Sequence, residues 1–154
     1  MINSQLASAL SADAQYWEES ISPSQVRKDL QEADPSNPSH TNQIGKSMKW
    51  LLASISKGRD VSDFYPHVVK LVGVPSVQVS KLVYLYTVQY ANHNASTREL
   101  SLLSINAFQR GLGDAEALIR ALALRVLTTI RLADIWQIQM LAVQRCAADP
   151  SPYV

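Results

Sequence analysis

The chain has 154 residues, 47% of them hydrophobic and only 18% charged, with a formal net charge of +1. That is enough apolar chain for one real core, which excludes wholesale disorder, and near neutrality excludes a global electrostatic pull toward nucleic acid. A single cysteine, Cys146, excludes an internal disulfide framework and a cysteine-based zinc site, and five glycines are few for the tight turns of a sandwich or barrel.

The first elements lie in an acidic leader. Residues 1–40 carry Arg27 and Lys28 against Asp13, Glu18, Glu19, Asp29, Glu32 and Asp34, a balance of −4, while the remainder carries +5. Ser22-Pro23-Ser24-Gln25 predicts a short helix near 23–32, with Ser22 as cap and Pro23 at the first helical position. The Ser/Asn/Pro-rich stretch from Asp34 to Asn42 reads as a linker. Residues 1–41 are therefore expected to be a partly disordered leader, and 42–154 the folded body.

From Asn42 onward the periodicity predicts helix after helix. Ile44, Met48, Leu51, Leu52 and Ile55 recur at three- and four-residue spacing, and Gly58 sits where a C-terminal cap belongs. Ser62 is the expected cap of a second helix, stopped by Gly73 and Pro75, and Ser76 of a third that carries Val79, Leu82, Val83, Tyr86 and Tyr90. A fourth is expected to begin at Ser96 or Thr97, a fifth behind Asp114 and a sixth at Asp134, ending near Ala147. The class is all-α.

The apolar pattern repeats. A shift of 40 residues superposes Val68 on Phe108, Val79 on Ile119, Leu82 on Leu122 and Tyr90 on Ile130, and a further shift of 35 places Phe108 on Val143. Each unit is a helix, a turn (Val74-Pro75, Gly113-Asp114 or Asp149-Pro150) and a second helix. A two-helix unit of about 40 residues is the period of HEAT/armadillo α-solenoids. The third unit stops at Tyr153-Val154, so the chain reads as a truncated rod.

Catalytic patterns are missing from this sequence. His40, His67 and His93 lie in separate segments, and neither a phosphate-cradling glycine loop nor a nucleophile elbow is present. We expect no enzyme, no cofactor and no metal. No run of about 18 apolar residues survives the interruptions at Arg120, Arg125, Arg131 and Asp134, and Met1 to Ala14 lacks the basic start of a secretory signal. A soluble cytoplasmic chain is the expectation. Two surface sets stand out instead. Lys46, Lys49, Lys57 and Arg59, with Lys70, are candidates to face an anionic membrane. Leu102 and Ile105 fall off the apolar stripe centred on Leu100, Leu103 and Ala107, which marks them as a candidate protein-binding patch. A rival reading of the body is a basic helical-repeat module that binds nucleic acid or another protein scaffold, although no aromatics interleave the charges.

Three runs carry a resemblance: Lys81-Leu82-Val83-Tyr84-Leu85-Tyr86, Leu102-Leu103-Ser104-Ile105-Asn106-Ala107-Phe108-Gln109-Arg110, and Leu118-Ile119-Arg120-Ala121-Leu122-Ala123-Leu124-Arg125-Val126-Leu127. With the ending Asp149-Pro150-Ser151-Pro152-Tyr153-Val154, they resemble the N-terminal trunk of beta-type adaptins. The wording is closest to the beta subunits of adaptor-protein complex 3, and Ser22 to Lys28 resembles the leader of fungal members. The resemblance covers about residues 44–154. It implies an α-solenoid that acts as a scaffold in a vesicle coat adaptor, sorting cargo between Golgi, endosomes and lysosome or vacuole. It further implies assembly with a second large adaptin, a medium and a small chain, peripheral membrane contact through the complex, and docking of an Arf-type small GTPase on the helix at 97–111, at Leu102 and Ile105.

Overall fold

Side-chain caps set where three of the helices start. Ser22 Oγ accepts the backbone N–H of Gln25 (3.2 Å), and Pro23 takes the first position, where its missing donor costs nothing, so α1 runs Pro23–Gln31. The computed structural model describes residues 21–34 and 37–154, and all regular structure among them is helical. After a 3₁₀ turn at Pro38–His40, α2 runs Thr41–Ser56. It stops at Gly58, whose φ of 74° is a left-handed conformation that a Cβ disfavours. Gly58 N–H then reaches Ile55 O (2.9 Å) and Arg59 N–H reaches Ser54 O (3.0 Å), which closes the last turn.

The expected second helix is broken. It consists of a 3₁₀ turn at Ser62–Phe64, α3 at Tyr65–Val68 and a second 3₁₀ turn at Val69–Leu71. Pro66 lies in the first turn of α3, where its ring prevents one unbroken ladder from Ser62. Ser76 caps α4, Val77–Tyr90, as expected. α5, Ala95–Gly111, starts at Asn94 rather than at Ser96 or Thr97. There Asn94 Oδ1 accepts Thr97 N–H (2.9 Å) and Thr97 Oγ1 accepts Asn94 N–H (3.0 Å), a reciprocal pair that satisfies two orphan donors. Asp114 does not cap α6, Ala117–Thr129, directly: its Oδ1 holds the N–H of Glu116 (2.8 Å) one turn earlier. Asp134 likewise lies inside a 3₁₀ turn, Ala133–Ile135, and α7 follows at Trp136–Cys146.

The helices form two layers. α2, α4 and α6 pack side by side, and the broken helix around α3 packs on α4 and α5, while α5 and α7 pack against α6. The 40-residue period survives as hydrogen bonding. Ser80 Oγ donates to Val74 O (2.9 Å), and forty positions on Arg120 Nη1 donates to Asp114 O (2.9 Å). The 35-residue period survives in the turns, because Asp114 Oδ1 accepts Glu116 N–H and Asp149 Oδ1 accepts Ser151 N–H, each at 2.8 Å. Arg120 joins the two turns, giving Nε and Nη2 to the Asp149 carboxylate at 2.8 and 2.9 Å. Gly111 allows α5 to approach α6, since a Cβ there would stand 3.0 Å from that of Ala123.

The body of the fold starts before Asn42. Val26 and Leu30 of α1 are buried in the same core as Ile44, Met48 and Leu51 of α2, so α1 belongs to the packed unit. The sequence reading missed this because the proline-rich stretch looks like a boundary, whereas it only turns the chain back onto α2. The expected disorder of residues 1–20, and residues Pro35 and Ser36, lie outside the described residues. Asp29 fastens α1 down. Its buried carboxylate accepts bonds from Gln25 Nε2 (2.6 Å), Gln43 Nε2 (2.7 Å) and Ser47 Oγ (3.2 Å).

Removing that acceptor strands three donors at a cost of about 1–3 kcal/mol. Asp29→Ala should therefore speed amide hydrogen exchange across 23–31 more than across α4, and equal protection in both proteins would show that α1 is held by Val26 and Leu30 alone.

Candidate interaction surface

α5 presents a different face from the one its hydrophobicity suggests. Its buried stripe is Thr97, Ser101, Ser104, Ile105 and Phe108, rotated by about a quarter turn from the expected stripe at 100° per residue. Ile105 is only 3% exposed and belongs to the core, which corrects its placement on an external patch. Leu103, expected inside, is 76% exposed, and Leu102 is 37% exposed. The cause is the three small hydroxyl residues. Ser101 Oγ donates to Thr97 O (2.6 Å) with Ala91 O at 3.1 Å and meets the Tyr65 hydroxyl, while Ser104 Oγ donates to Ser101 O (2.7 Å). With their polar atoms satisfied locally, these short side chains pack where larger ones would hold α5 away. The exposed aliphatic residues of this helix are thus Leu102 and Leu103, while Ile105 is buried.

This assignment separates two neighbours in a measurable way. Ile105→Ala should destabilise by about 2–5 kcal/mol in chemical denaturation, as a buried deletion does. Leu103→Ala should stay within about 0.5 kcal/mol, as an exposed one does.

The basic candidates are partly assembled. Lys46, Lys49 and Lys57 are exposed and fall within an arc of about 80° on the solvent side of α2 and its C-terminal cap. Arg59 follows the Gly58 turn, and Lys70 sits in the other layer, apart from them. The loop that carries Arg59 is tethered at Val61, whose N–H donates to the Tyr90 hydroxyl (3.1 Å) and whose carbonyl accepts from the Tyr86 hydroxyl. Asp60 adds an acceptor for Ser62 N–H (2.9 Å) and faces His93 at 3.6 Å. The Ser62 bonds hold the Asp60 carboxyl below its usual range.

Two exposed cations escaped the sequence reading, Lys81 on α4 and Arg125 on α6. The signal was available, because the segments 41–56, 77–90 and 117–129 contain no Asp or Glu. What linked them into one face was the side-by-side packing of α2, α4 and α6.

His67 on α3 is a further titratable group in a constrained setting. Its Nδ1 is buried without a hydrogen-bond partner, and burial, then Lys70, then Arg27 push its pKa below 6.5. Arg27 is held nearby over the Phe64 ring, 4.8 Å from its centroid. The unfolded chain takes up this proton first, so the contribution to stability is complete above 6.5 and declines as pH falls toward the folded-state value. Asp60 and Asp149 are depressed from 3.8 and lose their contribution only below that point. Hence His67→Gln should flatten the fall in thermal midpoint between about pH 7.5 and about pH 5.5.

The concave features offer little chemistry. A groove of about 710 Å³ between the turns at 72–77 and 110–116 mixes Arg110 with Asp114 and Glu116, so it selects no charge. Among the described residues no group of three or more His, Cys, Asp or Glu is placed to hold a metal ion, and no helix is long and apolar enough to cross a membrane.

Residues 18–154 match the family described as the adaptin N terminal region. The chain is 40% identical over 141 residues to AP-3 complex subunit beta of Dictyostelium discoideum, covering 92% of this chain and 12% of that protein. It is 50% identical over 109 residues to AP-3 complex subunit beta-2 of Mus musculus, covering 71% and 10%, and 34% identical over 153 residues to AP-3 complex subunit beta of Schizosaccharomyces pombe, covering 97% and 20%. The chain belongs to the adaptin N-terminal family, and its stacked helix pairs are that family's helical-repeat solenoid. It spans between 10% and 20% of the length of these three relatives.

Proposed function

We propose that this chain is the N-terminal trunk portion of a beta-type subunit in a vesicle coat adaptor. It works there as a binding scaffold in intracellular protein transport between Golgi, endosomes and lysosome or vacuole. The observation that carries the reading is the family match over 18–154 together with relatives named as AP-3 complex beta subunits. The partners of such a scaffold are a second large adaptin, a medium and a small chain. Its place is the cytoplasmic side of Golgi and endosomal membranes, reached peripherally through the complex.

Leu102 is the proposed contact for an Arf-type small GTPase. Ile105, also singled out for that contact, acts through the packing of α5. Support comes from the exposure of Leu102 on α5, with Leu103 exposed on the adjoining side of the helix, since large aliphatics in water favour a partner surface. Lys46, Lys49, Lys57 and Arg59 are proposed to add attraction to anionic lipid, at about 1 kcal/mol for each residue close to the bilayer.

In the full-length protein, Leu102→Ser/Leu103→Ser should abolish capture by a GTP-locked Arf-type protein yet retain co-precipitation of the other three adaptor chains. Capture at the wild-type level would remove the GTPase contact from α5. Failure of the wild-type protein to bring down any adaptor chain would remove the coat reading itself.

A further inference from the structure

We propose that the groove between α4, α6 and α7 docks a short extended segment of a partner protein, one that carries an aliphatic side chain between two carboxylates. The groove encloses about 590 Å³. Lys81 of α4 and Arg125 of α6 line it, together with Leu118 and Leu122 of α6, Val143 of α7 and Tyr153. Leu118, Val143 and Tyr153 are exposed and Leu122 is half-buried, so the groove leaves apolar surface in water.

Charge decides what covers it. No residue lining the groove is acidic, and the segments 77–90, 117–129 and 136–146 contain no Asp or Glu. Neither Lys81 nor Arg125 is paired with a carboxylate among the described residues. Asp149, the carboxylate that follows α7, is already held by Nε and Nη2 of Arg120. Two unneutralised cations beside an aliphatic floor complement a ligand that brings carboxylates and an apolar side chain together. A bilayer meets the side chains that protrude, whereas half-buried Leu122 is covered only by a side chain that enters the groove.

Spacing sets the pattern of the segment. α4 and α6 pack side by side, and neighbouring helices lie about 8–10 Å apart. In an extended chain, alternate residues share one side at about 7 Å, and the residue between them faces the other way. The flexible arms of Lys81 and Arg125 take up the difference. Two carboxylates at alternate positions then meet the cations while the aliphatic residue between them enters the groove. No lining residue belongs to α5, so this contact and the one proposed at Leu102 fail independently.

Amide NMR of the ¹⁵N-labelled full chain, titrated with the peptide Gly-Ser-Glu-Ile-Glu-Ser-Gly, tests the assignment. Saturable shifts should appear at Lys81, Leu118 and Arg125 and be absent from α5. The apparent dissociation constant should rise about tenfold or more in Lys81→Gln/Arg125→Gln, with an unchanged thermal midpoint because both side chains are exposed. Leu118→Ser should weaken binding about fivefold through the apolar half of the site. Lys81→Glu/Arg125→Glu should reject this peptide and bind the one with Lys in place of both Glu. Wild-type protein that binds both peptides alike, or neither, would overturn the proposal. So would binding of phosphatidylserine vesicles, or of a second copy in sedimentation velocity, that needs Lys81 and Arg125 while the acidic peptide does not bind.

Discussion

A pair of helices has two apolar faces and only one partner of its own, and this shortfall governs the molecule. Each unit must be closed by the next, so the joint between successive turns matters more than any single core contact. Arg120 is that joint in its most developed form. One guanidinium satisfies the carbonyls of Asp114 and Ala115 in its own turn and grips the Asp149 carboxylate of the following one. The earlier unit meets the same need with the Ser80 hydroxyl on Val74 O. The position is retained across units while the chemistry differs, because a carbonyl in a turn needs a donor of whatever kind reaches it.

Polar groups inside the fold follow the same logic. Asp29, Ser47, Ser101, Ser104 and Thr97 are buried, and each has its acceptor or donor within one or two turns or on the adjacent helix. Gln139 makes the same kind of provision between helices, donating to Leu127 O and Ile130 O at the end of α6, where the last turn leaves carbonyls without partners. Such bonds add little net stability individually, but a misregistered helix would leave several of them unmade at once. They therefore select one seating of each helix among several that apolar packing would tolerate. The α5 surface is the clearest product of this selection, since its three small hydroxyl residues turn Leu103 outward and Ile105 inward.

Function in such a rod depends on its outer faces. The interior resists change, whereas the exposed residues of α2, α4 and α6 contact little of the fold and can differ without disturbing it. Charge is distributed accordingly. Asp60, Asp114 and Asp149 occupy turns, where they bind backbone N–H groups, and α2, α4 and α6 carry basic side chains without a carboxylate among them.

The sequence by itself determined the helical class, the 40-residue period and several helix ends, because caps, prolines and glycines act within a few residues of where they stand. Ser22, Gly58 and Ser76 are cases where the local signal was sufficient. It also carried the family, which residues 18–154 match. Only the tertiary structure decided which face of α5 is buried, that α1 belongs to the core, and that Lys81 and Arg125 share a face with Lys46 and Lys49. Hydrophobicity assigns an inward face from side-chain character alone. The actual face depends on what the neighbouring helix offers, and there a serine with a satisfied hydroxyl packs more closely than a leucine.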